Sequence, residues 1–163
     1  TFAESEFSRI NAERFSVSSL PIVVIEDFSS GVDGLEADIR KYSPSVLIYD
    51  YFQASKWKDP DSVGEKASAV RKFKELAQKY NIPILLFSQL KRSTDKASMS
   101  HLKGTGELEE LADVASFLLC ENKMIYPRIV NLEILKSKYS ATGIIKLKFL
   151  CSICKFEEME AFE

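Results

Sequence analysis

Residues 46–53 read Val46-Leu47-Ile48-Tyr49-Asp50-Tyr51-Phe52-Gln53, four apolar residues that run straight into an aspartate. A short continuous apolar run ended by polar residues suits a strand buried on both faces, and such strands belong to parallel sheets covered by helices. Upstream, Pro21 opens Ile22-Val23-Val24-Ile25, which predicts another buried strand. Between these runs Val32, Leu35, Ile39 and Tyr42 recur at helical spacing until Pro44 stops the pattern. Downstream, Val63, Ala67, Val70, Phe73, Leu76, Ala77 and Tyr80 trace one face of a long helix over 61–80, with Asp61 or Ser62 as its N-cap. Ile82-Pro83-Ile84-Leu85-Leu86-Phe87 predicts a third strand and residues 114–119 a fourth buried one. A polar loop over 91–100 and a short helix over 105–112 lie between them.

The pattern changes after residue 120. Ile144-Ile145-Lys146-Leu147-Lys148-Phe149 ends in strict alternation of charged and apolar residues, and Val130-Asn131-Leu132-Glu133-Ile134 alternates more loosely, as half-exposed antiparallel strands do. Ser140-Ala141-Thr142-Gly143 is the turn expected between them. The predicted fold is therefore α/β: a parallel-sheet core with helices on both faces, ending in antiparallel strands. Its core spans 20–157, with 1–19 and 158–163 as flanking segments.

Composition narrows the function classes. With 163 residues, 45% of them hydrophobic, the chain can bury a real core. A net charge of −2 excludes a wholly basic nucleic-acid coat and a disordered acidic tail. No apolar run reaches the roughly 20 residues that span a bilayer, and Thr1-Phe2-Ala3-Glu4-Ser5-Glu6 lacks the basic start of a signal peptide, so a cytoplasmic protein without a membrane partner is expected. Three cysteines make no disulfide framework. The charge is uneven: 123–155 holds Lys123, Arg128, Lys136, Lys138, Lys146, Lys148 and Lys155 against Glu133 alone. That excess suits contact with phosphates or, equally, a solvated strand face kept from aggregating.

Ligands of open α/β sheets collect at the carboxyl ends of parallel strands, where two polar residues stand. Asp50 ends one apolar run, as a carboxylate that holds Mg²⁺ through water would, and Gln89 follows the next. A neutral amide there can sense a γ-phosphate without adding negative charge. Plain capping is the competing reading for each residue taken singly. Cys151-Ser152-Ile153-Cys154 has the spacing of zinc and redox pairs, but only the distant His101 and Cys120 could complete a metal site, so a hairpin turn is expected. His101 reads as solvent-facing, and Trp57 as a loop anchor rather than a base-stacking platform.

Four ordered segments carry a family resemblance. Leu47-Ile48-Tyr49-Asp50-Tyr51-Phe52-Gln53 resembles the Walker B segment of replicative DNA helicases of the DnaB family. Ser88-Gln89-Leu90-Lys91-Arg92-Ser93 is similar to that family's Ser-Gln-Leu-Asn-Arg-Ser segment. Residues 102–113, Leu-Lys-Gly-Thr-Gly-Glu-Leu-Glu-Glu-Leu-Ala-Asp, resemble its Leu-Arg-Glu-Ser-Gly-Ser-Ile-Glu-Gln-Asp-Ala-Asp stretch, and Lys136-Ser137-Lys138-Tyr139-Ser140-Ala141-Thr142-Gly143 its Lys-Gln-Arg-Asn-Gly-Pro-Thr-Gly turn. The resemblance implies a RecA-like ATPase domain that uses ATP and Mg²⁺ and, in a homo-hexameric ring, translocates on single-stranded DNA and unwinds duplex. Primase or a helicase loader are further partners it implies, with a bacterial cytoplasm or a viral replisome as the setting. By position, Asp50 is the Mg²⁺-associated acid, and Gln89 couples the γ-phosphate to the DNA loops. Lys136 and Lys138 reach a neighbour's nucleotide, and Arg92, Lys103, Gly104 and Gly106 contact DNA.

The departures are as specific as the matches. Lys138 stands where the family has an arginine finger, keeping the charge and losing the planar fork. Lys103-Gly104 replaces an Arg-Glu pair, and Tyr139-Ser140-Ala141 replaces Asn-Gly-Pro. No Gly-x-x-x-x-Gly-Lys-Ser/Thr occurs, so the chain is expected to be part of a longer motor domain and to be inactive by itself. A non-catalytic RecA-like accessory module, such as a loader or degenerate paralogue, and a different RecA-like ATPase are the alternatives.

Overall fold

Leu47–Tyr49 (β1) and Ile84–Leu86 (β2) form a parallel ladder in which Leu47, Ile48 and Tyr49 stand opposite Ile84, Leu85 and Leu86. They belong to a computed structural model that describes residues 4–26, 31–59, 62–89, 106–120, 122 and 124–159. Because side chains alternate along a strand, Leu47 and Tyr49 turn to one face and Ile48 to the other. The first face meets helix α3 (Val63–Tyr80) and builds the core with Val32, Phe52, Ala69, Val70, Phe73 and Leu108. The ring of Tyr49 meets Phe73 edge-on at 5.0 Å, and its hydroxyl shares a 2.7 Å hydrogen bond with the buried Ser55. The opposite face of the pair, Ile48 with Leu85, is open to solvent, so among the described residues the strand is covered on one face and not on both as its apolar run predicts.

Helix α3 starts as its sequence directs. Ser62 is the N-cap, and its hydroxyl accepts a hydrogen bond from the Glu65 N–H at 3.1 Å. The Glu65 carboxylate reaches outward and takes the N–H groups of Lys58 and Asp59, which ties the loop after β1 to the helix start. Of the predicted apolar face, Ala67, Val70, Phe73 and Leu76 are buried, while Val63 in the first turn is exposed. The helix ends where Asn81 adopts a left-handed φ of 51°. The predicted helix before β1 is a 3₁₀ turn over Gly31–Gly34 followed by α2 (Leu35–Tyr42), and Ser43, with φ 45°, closes it ahead of Pro44. Glu36 of α2 fastens the two helices through Lys72, Lys79 and the Tyr80 hydroxyl.

The last strands form a second sheet in the order β3 (Val114–Cys120), β4 (Arg128–Ser137), β5 (Gly143–Leu150) and β6 (Lys155–Glu158), all antiparallel. The β4–β5 hairpin pairs antiparallel as predicted, but burial does not alternate along it: Ile144 and Ile145 are exposed together with Lys146, and Leu147 to Leu150 are all half-buried. A 3₁₀ turn over Cys151–Ile153, closed by Cys154 at φ 50°, makes the expected hairpin turn into β6.

Two further expectations are corrected. Ile22-Val23-Val24-Ile25 has no strand assignment, and all four residues are exposed, because no neighbouring strand among the described residues offers it a ladder. The run 114–119 is a strand, but it pairs antiparallel with β4, and Val114 and Leu118 are exposed while Phe117 alone in it is buried. An apolar run records hydrophobicity and leaves the pairing partner open. The flanking segment 1–19 contains a 15-residue helix, α1 (Glu4–Ser18). The polar loop 91–100 lies outside the described residues.

Candidate nucleotide and DNA interface

Asp50 follows the last residue of β1 and Gln89 lies three residues beyond β2, so the parallel pairing brings both to one edge of the sheet. Main-chain bonds carry the pairing past the strands: Phe87 N–H donates to the Tyr49 carbonyl at 3.0 Å, and Phe52 N–H to the Phe87 carbonyl at 2.8 Å. Phe52, fully buried against Trp57 at 5.0 Å and Phe73 at 6.4 Å, anchors the segment that follows Asp50. Trp57 is thus a loop anchor, as its sequence position predicts. The Asp50 carboxylate is exposed and makes no hydrogen bond or ion pair with the described residues. An available single carboxylate fits a Mg²⁺ ion that keeps its waters and takes its remaining ligands from phosphates. No cluster of three or more acidic, His or Cys ligands that would make a protein-only cage exists among the described residues.

The predicted basic pair sits elsewhere, where α4 (Gly106–Leu111) runs into β3. Lys136 Nζ donates to the carbonyls of Glu109 and Glu110 at 2.6 and 2.8 Å, meeting the unpaired, electronegative end of α4. Lys138 Nζ donates to Asp113 Oδ1 at 2.7 Å, Lys74 Nζ of α3 to Asp113 Oδ2 at 2.5 Å, and the Lys138 N–H to the Asp113 carbonyl at 2.9 Å. One carboxylate therefore joins helix α3, the α4–β3 junction and the end of β4. Hydrogen bonds from Lys138 and then Lys74 lower the Asp113 pKa to about 2, and Asp113 in turn raises that of Lys138. Lys148, another member of the basic segment, stands opposite Glu157 in the β5–β6 ladder, and Glu157 also pairs with Lys155 at 3.0 Å. The charge excess read from the sequence is thus partly balanced by β6.

Of the predicted DNA contacts, Gly106 opens α4 and is exposed, whereas Arg92, Lys103 and Gly104 lie outside the described residues, as does His101. Sequence reasoning quoted Gln53 and Asp113 within motifs without giving either a role. A glutamine three residues after a strand-end aspartate, and an aspartate between a short helix and a strand, carry no local signal of the distant groups they bind.

Asp113 and Glu36 together predict an acid transition. Glu36, bonded first by Lys79 and then Tyr80, also has its pKa lowered to about 2. Both carboxyls titrate lower in the folded chain than in the unfolded one, so their contribution is complete above the ordinary carboxylate range and disappears as pH falls towards 2. The melting temperature is expected to hold steady from pH 7 to about 5 and to fall between about 4 and 2. Asp113→Asn with Glu36→Gln should make that fall shallower, as scanning calorimetry at stepped pH would read; an unchanged slope would refute the assignment.

Residues 1–158 match the DnaB-like helicase C terminal domain family. A probable replicative DNA helicase of Trieres chinensis is 24% identical over 161 residues, covering 86% of this chain and 35% of the relative. The chain thus spans about a third of that curated relative's length. Among solved structures, one described as an ATPase domain superposes with a TM-score of 0.86 at 20% identity, over 98% of this chain and 62% of that one. A DnaB-like replicative helicase, whose structure was described with its interactions with primase, gives a TM-score of 0.85 at 21% identity, over 98% and 43%. The fold is accordingly that of RecA-like DnaB ATPase domains, and the chain belongs to the DnaB-like helicase C-terminal domain family.

Proposed function

We propose that this chain is the later part of a replicative-helicase motor domain, in which ATP hydrolysis drives movement along single-stranded DNA. The observation that carries this reading is the placement of Asp50 and Gln89 at the carboxyl ends of adjacent parallel strands, the location where such folds bind ligands. In this reading Asp50 holds the waters of a Mg²⁺ ion that neutralises the phosphates of ATP. Gln89 reads the γ-phosphate end, with its neutral amide as hydrogen-bond donor. Lys136 and Lys138 present positive charge to nucleotide bound by a neighbouring subunit of a homo-hexamer. Arg92, Lys103, Gly104 and Gly106 contact the DNA backbone. Primase is a partner by analogy with the helicase described with it. The open face at Ile48 and Leu85 supports a larger domain, since apolar sheet faces of this class are covered by further chain. The part in hand carries no phosphate-binding glycine loop and is expected to hydrolyse no ATP by itself.

ATP turnover by the full-length protein, measured with and without single-stranded DNA, tests the reading. DNA should stimulate turnover, Asp50→Ala should lower it by about 100-fold or more, and Lys103→Ala should weaken the stimulation. A full-length protein that hydrolyses no ATP would support an accessory module instead. Turnover indifferent to Asp50→Ala would remove the assigned role of that residue.

A further inference from the structure

The side chain of Gln53 spends both of its amide atoms on the segment that ends in Gln89. Its Oε1 accepts the Gln89 N–H at 2.9 Å, and its Nε2 donates to Ser88 Oγ at 2.9 Å and to the Gln89 carbonyl at 3.4 Å. A side chain thereby extends the β1–β2 pairing two residues past its last main-chain bond, Phe52 N–H to Phe87 carbonyl. The Gln89 amide itself makes no hydrogen bond with the described residues and is exposed, so none of them directs its tip. Its direction is set where its main chain is held, and the side chain that holds both main-chain groups is Gln53.

We propose that Gln53 is a positioning residue for nucleotide-dependent turnover, clamping the main chain of Gln89 so that the Gln89 amide faces the γ-phosphate. This rests on the reading of Gln89 given above. The clamp joins the segment carrying Asp50 to the segment that leads on towards residues 90–105, so a shift at one strand end is passed to the other through two short hydrogen bonds. An amide is the one side-chain group that can accept from an N–H and donate to a carbonyl and a hydroxyl at once. Gln53→Met keeps the length and removes the pairing; Gln53→Glu keeps the acceptor and sets a negative charge against the Gln89 carbonyl.

A double-mutant cycle in the full-length protein tests the proposal, with DNA-stimulated ATP turnover and the KM for ATP as readouts. Gln53→Met is expected to lower kcat about 10-fold while KM stays within about twofold. In a Gln89→Ala background the same change should cost less than about twofold, because the group it positions is gone. A residue that served only the fold would cost the same in both backgrounds. Full multiplication of the two losses, or wild-type kcat in Gln53→Met beside an impaired Gln89→Ala, would overturn the clamp and leave the sensor reading standing. Wild-type turnover in Gln89→Ala would overturn the sensor reading and the clamp with it. Should Gln53→Met fail to fold, Gln53→Asn, polar but a methylene too short to bridge, carries the same expectations.

Discussion

Phe52→Ala is expected to destabilise the folded protein by about 3–5 kcal/mol, the range for removing a fully enclosed phenyl ring from a packed core. Among the described residues, Phe52 and Leu76 are the two large side chains with essentially no exposure. The Phe52 ring is held between Trp57 and Phe73, so truncation leaves a cavity whose walls belong to both the loop after β1 and helix α3. Those walls cannot all close in, because the loop is fixed from outside by Glu65 on the N–H groups of Lys58 and Asp59. Urea unfolding measures the change as a lower midpoint with an unaltered slope. A loss below about 1 kcal/mol would mean that the aromatic cluster relaxes into the space and that Phe52 does not anchor this segment.

The second large effect concerns turnover. On the proposed reading, Lys138→Ala should lower the kcat of the full-length protein by about 10³-fold, the lower end of what is lost when a cationic finger is removed from phosphoryl transfer. Lys138→Arg, which keeps the charge, should retain activity within about 10-fold of the native enzyme. Lysine has a compact ammonium on a flexible stem and offers no planar fork, so its aim depends on what holds it. Asp113 does so from one side and leaves further Nζ donors of Lys138 available. Asp113→Asn should therefore lower turnover several-fold, far less than Lys138→Ala. Lys138→Ala within about threefold of wild type would exclude a finger role for this residue.

The parts of the fold legible in the sequence are those governed by local pattern. Helix α3 is written in its apolar spacing and in Ser62-Val63-Gly64-Glu65, since capping needs only residues three apart. The β4–β5 hairpin is written in two strand-forming runs with turn residues between them, although burial along the strands does not alternate as their residues do. Asp50 and Gln89 could be singled out because the end of an apolar run is visible in one dimension. The run 22–25 misled because hydrophobicity records a residue's solvent preference and not whether a neighbouring strand lies beside it. Strand β3 misled in its pairing for the same reason.

Sequence alone determined the class of the domain and the family it belongs to, since spacing, strand-end polarity and motif order all survive in the linear chain. Tertiary structure decided which groups act on which. Gln53 lies 36 residues from Gln89, and Lys138 lies 25 from Asp113, which itself lies 39 from Lys74. A hydrogen bond acts over about 3 Å, so its partners are set by how strands and helices pack and not by their separation along the chain.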